Sequence, residues 1–181
     1  MARNIEIKAR VADPEALAMK AAAIADEGPV AIFQDDTFFA CATGRLKLRD
    51  FGNGTGELIY YRRADQSGPK ESFYLLSPTS SPENLRESLR LANGIAGRVI
   101  KHRTLYLVGQ TRVHLDHVEN LGHFMELEVV LNDAETIADG TRIAEELMTR
   151  LGIESTALIE GAYVDLLNRD RSHRQSSGVP A

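Results

Sequence analysis

Charged side chains occupy alternate positions along several segments of this chain, a spacing that has chemical consequences. Glu126 and Glu128 lie two residues apart, as do Lys101 and Arg103. Residues at positions i and i+2 of a β-strand project from the same face of the sheet. Two carboxylates on one face can hold a divalent metal ion, and two cations on one face can bind successive phosphate groups. The spacing therefore predicts a site for a metal ion and a polyanion.

The same alternation gives further predicted strands a charged face. The residues concerned are Glu6, Lys8 and Arg10; Arg45, Lys47 and Arg49; Arg112, His114 and Asp116; and Arg62, whose face the pattern leaves open. For any one strand, a solvent-exposed face covered with ion pairs explains the pattern at least as well. Repetition over five strands instead favours a sheet that curls until its charged faces line a cavity.

Charges of both signs inside such a cavity restrict its ligand. Buried cations repel one another unless they hold a polyanion, and buried carboxylates do so unless they hold a cation. Phosphoryl transfer depends mainly on cations and metal ions that neutralise the phosphate oxygens. Carboxylate oxygens are the ligands that Mg²⁺ and Mn²⁺ prefer. The candidate metal ligands are Glu6, Asp116, Glu126 and Glu128.

Four helices are predicted from their start signals and apolar spacing. Asp13 followed by Pro14, and Ser81 followed by Pro82, are typical of helix N-termini. Asp133 is the expected N-cap of a third helix. The predicted helical ranges are 15–26, 83–92, 133–151 and a shorter segment over 156–167.

Period-two patterns between these helices predict β-strands. Short turn-rich segments join neighbouring strands, in one case at hairpin spacing. We therefore expect an α+β fold in which helices pack on an antiparallel sheet of about eight strands. The predicted strands cover 4–11, 35–39, 44–49, 57–63, 99–108, 111–116 and 124–131.

The composition narrows the class of protein. The chain has 181 residues, 43% of them hydrophobic, and a formal net charge of −5, values typical of one globular domain. The single cysteine, Cys41, excludes an internal disulfide and a cysteine-rich zinc site. The acidity argues against a nucleic-acid surface. Since no apolar run reaches the roughly 20 residues that cross a bilayer, we expect a cytoplasmic protein that binds no membrane. Residues 1–167 are predicted to form one domain and 168–181 a disordered tail.

Three sequence blocks resemble the CYTH proteins, the triphosphate tunnel metalloenzymes. Asn4-Ile-Glu6-Ile-Lys8 resembles their ExExK opening. The block over 101–128 is similar to the class IV adenylyl cyclase branch, and the ending Gly161-Ala-Tyr163-Val-Asp165 also fits that branch. The resemblance covers nearly the whole chain to residue 167, and the block over 101–128 is its most specific part.

This resemblance implies an antiparallel eight-stranded β-barrel with helices packed on the outside, whose charged tunnel binds an organic or inorganic triphosphate with Mg²⁺ or Mn²⁺. Family members include adenylyl cyclases, thiamine triphosphatases and inorganic tripolyphosphatases, and a homodimer is compatible with the branch. By position, catalytic roles fall on Lys8, Arg62, Lys101 and Arg103. Triphosphate binding falls on these and on Arg10, Arg45, Lys47, Arg49 and Arg112. Metal binding falls on Glu6, Asp116, Glu126 and Glu128.

Asn4 departs from the family pattern, because it stands where the motif has its first glutamate. A neutral amide attracts Mg²⁺ less than a carboxylate does. Three functions stay open at this point. The favoured one is conversion of ATP to cyclic AMP and pyrophosphate. The others are hydrolysis of tripolyphosphate, thiamine triphosphate or a nucleoside triphosphate, and binding of a nucleotide or polyphosphate without turnover.

Three further residues allow more than one interpretation. His114 and His117 flank Asp116, but a zinc site would need a third converging ligand that the sequence does not identify. We therefore expect His114 to be a polar wall residue and His117 to begin a turn. Tyr163 is suited equally to closing one tunnel mouth and to anchoring the core.

Overall fold

The computed structural model describes residues 3–63 and 70–176. The described residues form eight strands and four α-helices, with one turn of 3₁₀-helix at Ser155–Ala157. The strands are β1 (Arg3–Arg10), β2 (Glu27–Phe39), β3 (Arg45–Asp50), β4 (Gly56–Arg63), β5 (Lys70–Thr79), β6 (Ile95–Val108), β7 (Thr111–Val118) and β8 (Gly122–Leu131). The helices are α1 (Pro14–Ile24), α2 (Pro82–Asn93), α3 (Ile137–Leu151) and α4 (Tyr163–Ser176).

The strands form one antiparallel sheet whose pairings close into a ring. The order around the ring is β1-β5-β4-β3-β2-β6-β7-β8, and β8 pairs with β1. The prediction of about eight antiparallel strands with helices packed on them is therefore confirmed. Because side chains alternate between the two faces of each strand, every strand presents one face to the inside of the ring and one to the outside.

The outer face of the ring carries the larger apolar core. Ile5 and Ile7 on β1 and Leu127 on β8 are fully buried there, and they pack with apolar residues of α1 and α3. Gly140 lets α3 approach the sheet closely, since a Cβ atom at this position would lie 2.6 Å from Cγ1 of Ile5. Burying this apolar face outside the ring leaves the polar face of the same strands directed inward.

A second apolar cluster lies at one end of the ring and includes the first turns of α4. Tyr163 and Val164 pack there with Phe124 at the start of β8 and Phe38 at the end of β2. The Phe124 and Tyr163 rings lie 4.9 Å apart between centroids. The start of α4 therefore packs among inward-facing residues of the sheet and forms part of the wall of the inner cavity.

The sequence pattern did not predict one strand of the sheet and the first part of another. β5 was not predicted because its apolar residues, Phe73 to Leu76, run consecutively and do not alternate. β2 begins at Glu27, eight residues before the predicted start. The prediction missed this first part of the strand because it is mostly exposed and has no apolar period. Pairing with β6 orders this first part, and such pairing is a tertiary contact.

The starts of α1 and α2 agree with the prediction, since Asp13 and Ser81 are their N-caps. The starts of α3 and α4 differ, and α4 begins at Tyr163 where a helix over 156–167 was predicted. Asp13 caps α1, and its side chain accepts a hydrogen bond from the Ala16 amide at 2.9 Å. The predicted cap Asp133 is wrong, because α3 begins later. Thr136 is its N-cap, and Asp139 completes a reciprocal capping box with it.

The predicted disordered tail is wrong for its first part. α4 continues from Tyr163 to Ser176, so the described residues of that segment are helical. Packing of its first turns fixes the start of the helix, which then continues over 168–176. Residues 177–181 lie outside the described residues.

Candidate functional site

The ring encloses a charged cavity of about 300 Å³. Among the described residues that line it, six are basic and five are acidic. The cavity wall thus carries more basic than acidic groups in a chain whose formal net charge is −5. The basic residues are Lys8, Lys47, Arg49, Lys101, Arg103 and Arg112, and the acidic ones are Glu6, Asp36, Glu57, Glu126 and Glu128.

Strand register aligns the charged residues of β1, β8 and β7 in rows across the wall. Lys8 lies opposite Glu126, which lies opposite His114. In the next row Glu6 lies opposite Glu128, which lies opposite Arg112. Lys8 Nζ contacts Glu126 Oε1 at 3.0 Å. Pairing of the strands therefore brings together carboxylates and cations that are more than one hundred residues apart in the chain.

Arg103 on β6 links two acidic groups of this wall. Its Nε and Nη2 atoms donate to Asp116 Oδ1 and Oδ2, both at 2.6 Å, and Nη2 also lies 2.5 Å from Glu126 Oε2. Burial opposes the charge of Arg103, but Asp116 and Glu126 hold its pKa well above the ordinary value. Burial likewise opposes the charge of Asp116, yet Arg103 and Lys101 lower its pKa to about 2. Both groups are therefore ionised at neutral pH.

Tyr163 contacts this cluster from α4. Its hydroxyl donates to Asp116 Oδ2 at 3.0 Å. Lys8 Nζ lies 3.9 Å above the centre of the Tyr163 ring and Lys101 Nζ lies 5.4 Å from it. Burial, followed by the charge of Glu126, raises the pKa of the Tyr163 hydroxyl well above its usual value. The tyrosine thus packs in the core, one of the two roles considered for it, and also lines the cavity.

Asp36 on β2 organises the opposite wall. Lys47 Nζ contacts its Oδ2 at 2.7 Å, and Arg49 binds both of its oxygens at 2.8 and 2.9 Å. Burial opposes ionisation of Asp36, but the charges of Arg49 and Lys47 lower its pKa. Burial and the neighbouring Arg49 lower the pKa of Lys47 to about 7. Burial and Arg103 also lower the pKa of Lys101.

Three side chains converge in a group that is able to hold a metal ion. The ligand atoms of His114, Glu126 and Glu128 all lie within 4.8 Å of one another. His114 is buried, and its Nδ1 has no hydrogen-bond partner among the described residues. Burial, aided by Glu6 and opposed by Arg103, raises the pKa of Glu128. Burial and Arg103 lower the pKa of His114 well below its usual value. Two carboxylates and a neutral imidazole fit a divalent cation.

The structure places some predicted site residues elsewhere. Arg62 is exposed, lies 5.5 Å from the centre of the Phe73 ring, and is not among the described residues that line the cavity. Tyr61 and Ile59 take the inner face of β4, which leaves residue 62 on the outer face, away from its predicted place beside the triphosphate. Arg10 is exposed at the end of β1 and lies over the Phe124 ring.

Arg45 and Asp116 also differ from the prediction. Arg45 forms an ion pair with Asp165 of α4 at 2.8 Å, and it is not among the described residues that line the cavity. Asp116, predicted as a metal ligand, has both oxygens bound by Arg103, and the described group of converging ligands does not include it. Its geometry is that of a residue that orients Arg103. Glu6, the other predicted ligand outside that group, lies beside Glu128 on the cavity wall.

Asn4 lines the cavity near Glu6. It is 2% exposed, and its Oδ1 has no hydrogen-bond partner among the described residues. Asn4 lies opposite Ser72 of β5, which also lines the cavity. The residue that replaces the first motif glutamate therefore presents its amide oxygen in the charged site.

Sequence analysis missed Asp36 and the metal-ligating geometry of His114. Asp36 belongs to a strand whose polar residues are buried, a pattern that no periodicity predicts. His114 lies two residues from Asp116 and Arg112, so its face was predictable, but its convergence with Glu126 depends on the register of β7 with β8.

Comparison with known proteins identifies the family of this fold and site. A sequence model of the CYTH domain matches residues 2–163. Adenylate cyclase CyaB from Aeromonas hydrophila is 35% identical over 65 residues, which cover 36% of this chain and 34% of that protein. The match therefore spans about a third of the curated relative. This chain belongs to the CYTH domain family, and the resemblance stated from its sequence is confirmed.

Solved structures share the fold over almost the whole chain. PH1012 protein from Pyrococcus horikoshii OT3 has a TM-score of 0.80 and 25% identity, with 90% of this chain and 98% of that chain covered. HpAC1 from Hippeastrum, for which a dominant triphosphatase activity is described, has a TM-score of 0.63 and 18% identity, with 92% and 95% covered. Within the described residues, no helix combines the length and apolar character that crossing a membrane requires.

Proposed function

We propose that this chain is a divalent-metal-dependent enzyme that acts on a triphosphate in the inner cavity, and that the ring of strands is a triphosphate tunnel. The observation that carries the proposal is the cavity lining, which among the described residues holds six basic and five acidic ones in a chain of net charge −5. Fixed rows of guanidinium and ammonium groups suit a ligand with several adjacent anionic oxygens. A hydrophobic ligand would not be stabilised by such a charged lining.

The residues divide into two sets by their contacts. The proposed triphosphate ligands are Lys8, Lys101 and Arg103 on one wall and Lys47 and Arg49 on the other. Arg112 lies near the group of His114, Glu126 and Glu128. Glu126 and Glu128, with Glu6 beside them, are the proposed carboxylates for Mg²⁺ or Mn²⁺. When bound, the metal ion supplies positive charge to the phosphate oxygens. Lys8 and Arg103 both contact Glu126, so phosphate binding and metal binding share this carboxylate.

The favoured reaction is that of an adenylyl cyclase, supported by the similarity to CyaB. In this reaction the ribose 3′-oxygen of ATP forms a bond to the α-phosphorus. The bond from that phosphorus to the bridging oxygen breaks, pyrophosphate leaves with the electron pair, and the hydroxyl proton is released to water. The cations of the wall stabilise the charge that accumulates on the leaving pyrophosphate.

A triphosphatase is the second candidate, supported by the fold shared with HpAC1 and its described triphosphatase activity. In that reaction water attacks the terminal phosphorus and orthophosphate is released, while the same cations bind the substrate. The two reactions differ in which phosphorus lies beside the nucleophile. Tripolyphosphate has no ribose, so only a hydrolase can turn it over.

Phosphorus NMR of the purified protein tests the proposal. The protein is incubated with Mg²⁺ or Mn²⁺ and either ATP or tripolyphosphate, and the products are followed over time. Cyclic AMP with pyrophosphate establishes a cyclase, whereas orthophosphate establishes a phosphatase. If neither appears, thiamine triphosphate is tested next. A protein that is stabilised against thermal unfolding by tripolyphosphate, yet turns over none of these compounds, is a binding protein and contradicts the proposal.

The Glu128→Gln variant links any activity to this cavity. It removes one carboxylate from the proposed metal ligands while keeping a similar side-chain volume. We therefore expect turnover to fall at least about 100-fold, a loss of roughly 2.7 kcal/mol in transition-state stabilisation. Glu83→Gln on the exposed surface of α2 is the matched control and should behave as the parent protein. Equal activity in both variants would separate the reaction from the cavity.

A further inference from the structure

Among the described residues, His114 has a buried side-chain nitrogen without a hydrogen-bond partner. The residue is 4% exposed, and Nδ1 has no hydrogen-bond partner among the described residues. Buried polar groups without a partner are uncommon and cost free energy, so such a group calls for an explanation. A bound cation is one explanation, because a neutral imidazole nitrogen is a good metal ligand.

The position of this nitrogen agrees with a role as a ligand. His114 Nδ1 lies 3.6 Å from Glu128 Oε1. Two donors that are each about 2.1 Å from one ion are separated by about 3 Å at right angles and by about 4.2 Å on opposite sides. The observed separation lies between these values. Glu126 lies opposite His114 in the strand register and completes the group.

We propose that His114 is a metal ligand, and that its imidazole with Glu126 and Glu128 forms a one-nitrogen, two-carboxylate site that favours Mn²⁺ over Mg²⁺. This inference deepens the proposed function, on which it rests for the need of a divalent metal. Mg²⁺ is a hard cation that prefers an all-oxygen environment, whereas imidazole suits transition metals. A nitrogen ligand therefore shifts the selectivity of the site toward Mn²⁺.

Pulsed electron paramagnetic resonance tests the assignment without any substrate. The intact protein is loaded with Mn²⁺ alone, and electron spin-echo modulation is recorded to detect coupling between the ion and a directly bound ¹⁴N nucleus. The proposal requires this coupling in the parent protein and its loss in His114→Gln. Mn²⁺ bound without nitrogen coupling overturns the proposal, and this result does not depend on whether a variant folds.

Calorimetric titration measures the expected selectivity. In His114→Gln we expect Mn²⁺ affinity to fall about tenfold or more, by analogy with losses on changing residues around metal sites, and Mg²⁺ affinity to change less than about threefold. His117→Gln is the matched control, because His117 lies on the same strand and is exposed. Parent-like Mn²⁺ affinity in His114→Gln, or equal losses for both ions, contradicts the proposal.

These outcomes are separable from those of the proposed function. Nitrogen-coupled Mn²⁺ in a protein that turns over no triphosphate supports the metal site and contradicts the enzyme. Turnover in a protein whose bound Mn²⁺ shows no nitrogen coupling supports the enzyme and overturns the role of His114.

Discussion

Arg103 and Asp116 lie opposite each other on β6 and β7 and form a bidentate ion pair, with both nitrogen–oxygen distances at 2.6 Å. Asp116 also accepts a hydrogen bond from the Tyr163 hydroxyl, and Arg103 also contacts Glu126. The pair therefore joins the start of α4 to the part of the cavity wall that carries Glu126. Asp116 is best understood as the residue that holds the guanidinium in position.

Replacing Asp116 with asparagine should separate its positioning role from metal binding. The change leaves the buried Arg103 without its main counter-charge, so we expect the free energy of unfolding to fall by about 3 kcal/mol. Turnover should fall as Arg103 loses its orientation. Calorimetry should show Mn²⁺ affinity within about threefold of the parent protein, in contrast to Glu128→Gln, which should lose about tenfold or more. A loss of metal affinity equal to that of Glu128→Gln would make Asp116 a ligand after all.

Arginines on neighbouring strands should differ sharply in triphosphate binding, because Arg49 lines the cavity and Arg62 is exposed over Phe73. A charge-assisted hydrogen bond contributes about 1.5–3 kcal/mol, so Arg49→Ala should weaken tripolyphosphate binding roughly 10- to 150-fold. Arg62→Ala should change it less than about twofold, as expected of an exposed residue. Calorimetric titration of both variants checks this, and a comparable loss in Arg62→Ala would return that residue to the site.

Triphosphate binding should depend on the charge of Lys47. Its pKa is lowered to about 7 by burial and by Arg49, so the cation is present below this pH and is lost as the pH rises through it. Tripolyphosphate affinity should therefore decline from pH 6 to pH 8 relative to the Lys47→Arg variant, which stays charged. Titration of the ligand itself is common to both proteins. Identical pH profiles would show that Lys47 does not contribute a titrating charge.

The same pKa has a consequence for stability in the absence of ligand. Lys47 in the unfolded chain has an ordinary pKa near 10.4, above its value of about 7 in the folded protein. Between these values the unfolded state binds more protons, so this lysine's contribution to stability rises with pH across that window. Chemical denaturation at pH 7 and pH 9, compared with Lys47→Arg, measures the contribution, and a parent protein that loses stability relative to the variant would reverse the expected sign.

Asn4 offers a test of the position that departs from the family motif. Its amide oxygen, which has no hydrogen-bond partner among the described residues, lies in the cavity near Glu6, so Asn4→Glu places a further carboxylate close to the proposed metal ligands. We expect Mg²⁺ and Mn²⁺ to bind several-fold more tightly, since carboxylates attract these ions more than amides do. Asn4→Gln has the same length without the charge and should not reproduce the gain. An unchanged metal titration in Asn4→Glu would place residue 4 outside the reach of the ion.

The sequence alone determined which residues share faces and which chemistry they can perform. Alternation of charge on β1, β6 and β8 predicted Lys8, Lys101, Arg103, Glu126 and Glu128 as inward-facing groups, and these residues line the cavity. The period of two is a local property of a strand. It can therefore be read wherever the polar and apolar faces differ strongly.

Only the tertiary structure decided which of these groups meet. The register of β6, β7 and β8 joins Arg103 to Asp116 and brings His114 to Glu126, and a shift of one residue would reverse every face. The inner face of β4 is taken by Tyr61, which puts Arg62 outside, and α4 engages Arg45 through Asp165. Asp36 was unpredictable because a buried carboxylate is stable only beside cations that another strand supplies. Such pairings depend on the register between neighbouring strands, which the period of two within one strand does not encode.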